Sequence, residues 1–196
     1  YILYAPLYNS IVGAFMSDLE IGAGTYKLII AGPVGAGKTQ AIRSLSDKGV
    51  VTTEEIASDG VGKMKKTTTV AMDYGVMILD SGEQVRLYGT PGQRRFDFMW
   101  EILSENALGL VLLLNAEEQD PVDDLAYYLE SFQPLIKGSA LVVGVTHAEN
   151  APWDLHQRLS DFLVQKGVAA NVTMVDARER EQMQTLVRSL VYMISG

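Results

Sequence analysis

The chain has 196 residues, 47% of them hydrophobic and 20% charged, an ordinary composition for a globular domain with a real core. Its 24 acidic and 16 basic residues leave a net charge of −8, which argues against nucleic acid as a bulk partner, because that binding depends on Lys and Arg neutralising phosphates. With no cysteine and only two histidines, disulfides, thiolate metal sites, lipidated cysteines and a zinc centre are not expected.

The opening sixteen residues, "YILYAPLYNSIVGAFM", are uncharged and rich in aromatics. They lack the basic flank and cleavage site of a signal peptide. Residues 1–25 therefore read as an N-terminal extension: an extra strand or helix packed on the domain, or a segment foreign to it. An interfacial membrane anchor would need a Lys/Arg face that this stretch lacks. No run of eighteen apolar residues occurs, so no transmembrane segment is expected.

From residue 26 onward, strand-like and helix-like segments alternate. "YKLIIAG" (26–32) is a short apolar run of the kind found in buried strands. Residues 39–47 read as a helix, and 49–68 as polar and irregular. "VAMDYGVMIL" and "EQVRLYGT" flank "DSG" at 80–82, the pattern of a hairpin. "GLVLLLN" (109–115) and "ALVVGVT" (140–146) are continuous apolar runs that suit central strands of a parallel sheet. "NVTMVD" (171–176) is a weaker sixth strand. Helices are expected over 121–136, starting at Pro121, over 153–166 and over 179–194. The fold class is α/β: a three-layer arrangement with a mostly parallel six-stranded sheet and one antiparallel edge strand.

Gly32, Pro33, Val34, Gly35, Ala36, Gly37, Lys38 and Thr39 fit G-x-x-x-x-G-K-[ST], between an expected strand and an expected helix. The chemistry requires these residue types. Glycines let backbone N–H groups converge on phosphate oxygens, and the following helix turns its positive end toward them. Lys38 supplies a point charge to the β- and γ-phosphates, and the Thr39 hydroxyl suits Mg²⁺. Gln40 follows in the first turn. The motif thus points to a nucleotide-binding P-loop NTPase and leaves the base open.

Further motifs lie at the ends of later strands. "LYGTPGQRRFDFMWEIL" resembles the switch II region of Ras-like GTPases, and "KKTTTVAMDYG" resembles switch I. "VGVTHAEN" is similar to the guanine-reading motif and "VDAR" to the last guanine loop. Over residues 26–195 the chain resembles bacterial small GTPases that include MglA-like proteins and the GTPases of actinobacterial conservons.

That resemblance implies a small GTPase domain over 26–196 that uses GTP, GDP and Mg²⁺ in the bacterial cytoplasm, with a roadblock/LC7-type regulator as partner. It implies that Lys38, Gly32, Val34, Gly35, Ala36, Gly37 and Gln40 hold phosphates. Thr39 and Thr69 would bind Mg²⁺, with Thr67 and Thr68 as close rivals of Thr69. Gly92 would meet the γ-phosphate and Gln93 would orient the attacking water. Arg94 and Arg95 could swing toward the γ-phosphate; Lys65 and Lys66 are a second source of charge. Thr146, His147 and Glu149, with Asp176, Ala177 and Arg178, would hold the base.

Two departures stand out. Gly89 stands where such proteins place an Asp for the metal, and Val34 stands where many have glycine, which implies slow hydrolysis. Of Phe96, Phe98, Met99 and Trp100 some must be core, but so apolar a cluster beside a switch is also a candidate partner surface. The chief alternatives are a nucleotide-binding scaffold that does not hydrolyse and an ATP-binding P-loop kinase.

Overall fold

The computed structural model describes residues 25–52, 72–80, 82–94 and 98–195. Residues 1–24 of the expected extension, Lys65, Lys66, Thr67, Thr68, Thr69, Arg95 and Phe96 lie outside the described residues. So do the side chains of Phe98 and Met99.

Seven strands form one sheet in the order β2-β3-β4-β1-β5-β6-β7. They are β1 (Thr25–Ala31), β2 (Val51–Thr52), β3 (Asp73–Ile78), β4 (Gln84–Gly89), β5 (Gly109–Asn115), β6 (Ala140–Thr146) and β7 (Ala170–Met174). β4, β1, β5, β6 and β7 pair in parallel, whereas β3 is antiparallel to both β2 and β4. The sheet therefore has one strand more than expected. The extra strand, β2, falls at the start of the stretch read as irregular, and two residues are too few to show a period.

Among the described residues, six α-helices cover the two faces: α1 (Lys38–Leu45), α2 (Phe98–Ser104), α3 (Pro121–Ser131), α4 (Gln133–Gly138), α5 (Leu155–Gln165) and α6 (Arg180–Ser195). One face buries Leu28, Ile30, Val111, Leu113 and Val142 against α1 and α6, through Ile42, Leu45, Met183, Leu186, Val187 and Leu190. The other buries Ile29, Leu110, Leu112, Leu141 and Val143 against α2 to α5. Alternate residues of β1, β5 and β6 thus feed opposite layers, which explains why these strands read as continuous apolar runs.

The expected helix over 121–136 is two helices, broken at Phe132 (φ −101°, ψ 14°). Pro134 is the cause: it has no N–H to donate and its ring crowds the carbonyl four residues back. α3 itself starts cleanly, because the Asp120 carboxylate accepts from the N–H groups of Val122 and Asp123, and Pro121 occupies the first turn.

α2 was not expected, and it corrects the reading of Trp100 as partner surface. Trp100 is 1% exposed. Its ring stacks on Tyr128 (centroids 5.1 Å apart) and Phe132 (4.9 Å) and meets Tyr127 edge-on. An indole of this size beside a sheet face stabilises more by burial than by waiting for a partner. Trp100→Ala should cost ~3–5 kcal/mol in urea unfolding, and Trp100→Phe clearly less, because the phenyl ring keeps part of the stack.

Candidate functional site

The strand order turns at β1, whose neighbours β4 and β5 carry the chain to opposite edges of the sheet. Ligands of open α/β sheets bind beyond the carboxyl ends of the strands at such a point. The loop from Gly32 to Thr39 occupies it. Gly32, Gly35 and Gly37 have φ of +147°, +84° and +86°, values that favour glycine. At Gly32 space forbids any other residue too, since a Cβ there would lie 2.1 Å from the Leu113 carbonyl oxygen. The Lys38 ammonium folds back over the loop and donates to the carbonyls of Gly32 (2.8 Å) and Pro33 (2.6 Å). Burial lowers its pKa to about 8, with Asp73 partly opposing the shift.

Thr39, on the first turn of α1, donates its hydroxyl to Asp73 Oδ2 at 2.5 Å. The other carboxylate oxygen of Asp73 accepts from the Thr52 hydroxyl at 2.9 Å. Sequence reasoning missed Asp73. It is the first residue of an antiparallel strand, and only that reversal brings it to the edge where the parallel strands end.

Gly92 lies directly on the phosphate loop. A Cβ at this position would sit 2.6 Å from Lys38 Nζ and 2.7 Å from the Val34 nitrogen. The Tyr128 hydroxyl on α3 donates to the Gly92 carbonyl at 3.4 Å. Burial, with Asp124 nearby, raises the pKa of that hydroxyl, so it acts as a neutral donor. Gln93 is exposed. Arg94 turns away from the loop toward α3: its guanidinium pairs with Asp124 (3.2 Å) and lies 4.0 Å over the Tyr127 ring. Val34 projects outward and is 60% exposed.

The two expected base loops meet behind the phosphate loop. The buried Thr146 hydroxyl is shared between the carbonyls of Ala36 (3.2 Å) and Leu114 (3.1 Å). Ala177 packs where a Cβ on Gly37 would be only 3.0 Å from its methyl. Its carbonyl accepts from the Ser44 hydroxyl of α1 at 2.9 Å. His147 is exposed with φ +53°, and Glu149 is exposed in the short 3-10 turn that follows. Arg178 clasps the Asp176 carboxylate (Nη2–Oδ2 2.6 Å) and draws its pKa down to about 2. The field of Glu149 contributes, after Asp176, to raising the pKa of Arg178. The two loops are thus electrostatic neighbours.

A glycine-rich loop after β1, a lysine over it, and a threonine at the start of the next helix on a mostly parallel sheet define a P-loop nucleotide-binding protein. The family model described as conserved hypothetical ATP-binding protein matches residues 47–194. The chain belongs to that family. The phosphate loop lies upstream of the matched stretch, so motif and family match are separate findings. The chain is also similar to the uncharacterized protein MJ1339 of Methanocaldococcus jannaschii, 30% identical over 93 residues. That alignment covers 47% of this chain and 52% of the archaeal protein, so the chain spans about half the length of its curated relative.

Lys38→Ala separates binding from folding. It removes a charge that burial disfavours, so the nucleotide-free protein should melt no lower than wild type. Nucleoside triphosphate affinity should fall by about tenfold or more, the scale of a lost charged hydrogen bond. Thermal melting and titration with ATP and GTP check both halves.

Proposed function

We propose that this chain is a nucleotide-dependent switch of the bacterial cytoplasm that binds GTP with Mg²⁺, hydrolyses it slowly and signals through partner binding. One observation carries the reading: Gly92 packs on Lys38 Nζ and the Val34 nitrogen. A γ-phosphate seeks those same two groups. Its arrival must shift Gly92 or be received by it. The shift is felt on α3, because Tyr128 holds the Gly92 carbonyl and Arg94 is held by Asp124 and Tyr127. Phosphate occupancy is thereby coupled to an outer helix, as a switch requires.

In the mechanism, Lys38 leaves the loop carbonyls for the phosphates and the loop N–H groups orient them. Thr39 and, by resemblance, Thr69 would hold Mg²⁺, which would supply charge to offset that of the phosphates. By the same resemblance, Gln93 would orient the attacking water once switch II settles. A roadblock/LC7-type regulator is the partner that the resemblance suggests, meeting switch II near Phe98 and Met99. Release of Arg94 from Asp124 would make a cation available there.

Glu149 favours guanine, because a carboxylate accepts from both N1–H and the exocyclic amine, a donor pair that adenine lacks. The family's description favours ATP and gives the second reading. Glu149→Ala discriminates between them. It should weaken GDP binding by at least ~2 kcal/mol and leave ADP binding nearly unchanged. A wild-type chain that prefers ADP overturns the guanine assignment.

The hydrolytic part has its own test. Single-turnover GTP hydrolysis by the isolated chain should run near or below ~10⁻⁴ s⁻¹. Gln93→Leu should abolish stimulation by a regulator while GTP affinity stays within roughly threefold, because glutamine acts on the transition state.

A further inference from the structure

The sheet ends on β7, whose outer edge pairs with no strand among the described residues. The opposite end, β2, is a strand of two residues, whereas β7 has five. Successive residues of a strand turn their N–H and C=O groups to alternate sides. The Val175 N–H donates to the Val145 carbonyl on β6, so Asn171 and Thr173 also turn theirs inward. Ala170, Val172 and Met174 turn theirs outward. His156, on α5, reaches that outer edge and donates from Nε2 to the Val172 carbonyl at 3.1 Å.

An open edge is a template for another strand, and proteins usually blunt it with charge, proline or a bulge. β7 reads Ala-Asn-Val-Thr-Met and carries neither charge nor proline. His156 is the blunting group, and its ring is exposed and able to turn away. An open groove of about 350 Å³ runs along the strand, walled by His156 and Ser160 of α5 and by Thr185 and Ser189 of α6. No carboxylate, lysine or arginine lines it. One helical turn beyond the groove, both walls hold large apolar side chains in water. Val164 follows Ser160 by four residues, Tyr192 follows Ser189 by three, and each is 79% exposed.

Charge and symmetry select the occupant. Copies of a chain with net charge −8 repel one another where their charged surfaces meet, and this edge is where they would not. The strand is also complementary to itself. Turned antiparallel about a twofold axis at Val172, two copies exchange N–H···O=C bonds between their Val172 residues. Ala170 of one copy then pairs with Met174 of the other, and Asn171 faces Thr173 across the edge, polar against polar. Such an isologous contact closes on two copies and leaves no free edge to propagate.

We propose that β7 is a homodimer edge, where two copies join antiparallel about Val172 into one continuous sheet, with His156 as the cap that yields. β7 lies three strands away from β1 and the phosphate loop, so the inference stands apart from the nucleotide reading.

Sedimentation of the full chain tests it. Wild type should show a monomer–dimer equilibrium below about 100 µM. Asn171 and Thr173 are exposed, so both can be replaced without disturbing the core. The double variants Asn171→Glu/Thr173→Glu and Asn171→Lys/Thr173→Lys each set like charges opposite one another in this register, and each should weaken association about tenfold or more. An equimolar mixture of the two should dimerise again, because opposite charges then meet. His156→Ala should tighten the wild-type dimer several-fold, since no side chain then competes for the Val172 carbonyl. A wild-type chain that stays monomeric overturns the proposal, as does a dimer that neither double variant weakens. A mixture that stays monomeric overturns it too, since a damaged fold is not rescued by opposite charge. Unchanged or weaker association of His156→Ala overturns the role of the cap.

Discussion

A half-buried ammonium at the turn of the sheet constrains much of this molecule. Lys38 cannot be moved into the interior without partners, and the loop supplies them as two carbonyls, at Gly32 and Pro33. Those carbonyls point inward only because the backbone reverses at glycines, and Gly32 passes too close to β5 for any side chain. The Pro33 carbonyl also accepts from the Ala36 N–H at 3.3 Å, which closes the turn of the loop. Burial lowers the Lys38 pKa to about 8, so the two carbonyls only partly replace water around the charge. A phosphate would restore that lost stabilisation of the charge, so the cost of burying the lysine becomes part of the driving force for binding.

The same economy of partners runs outward through the segment that follows β4. Gly92 has no side chain and can lie flat on Lys38 and Val34. Tyr128 and Phe132 are held by the Trp100 stack, which is core, so the far end of the linkage is rigid. A contact that is weak at one end and anchored at the other would suit the movement that the proposed switch requires, without unfolding its neighbours. Arg94 shows the same division, with exposed side-chain area but two partners on α3.

What was legible in the sequence follows from how local each constraint is. The phosphate loop needs eight consecutive residues, so it could be read outright, and the long apolar strands announced their own burial. Trp100 was misread because its partners lie nearly thirty residues ahead, on a helix whose aromatic face shows only when folded. Pro134 was visible, yet the amphipathic pattern ran through it and hid the break in the helix. Asp73 is the sharpest case. Its place across from Gly89 could not be read, because the sequence does not show the antiparallel register that pairs the two residues.

The base loops are bound by a similar constraint. Thr146 opens the expected reading motif, but its hydroxyl is spent on Ala36 and Leu114, tying the end of β6 to the phosphate loop. Asp176 is engaged by Arg178, and Ala177 is wedged against Gly37 with its carbonyl on Ser44. These residues brace the loop and have little freedom to choose a base. Glu149 is different: it is exposed, and its influence on Arg178 is through the field alone. Under the proposed reading, choice of base would fall on this carboxylate at the rim, while the residues behind it brace the phosphate loop. That separation would let members of a family described by ATP binding differ in base at the rim alone.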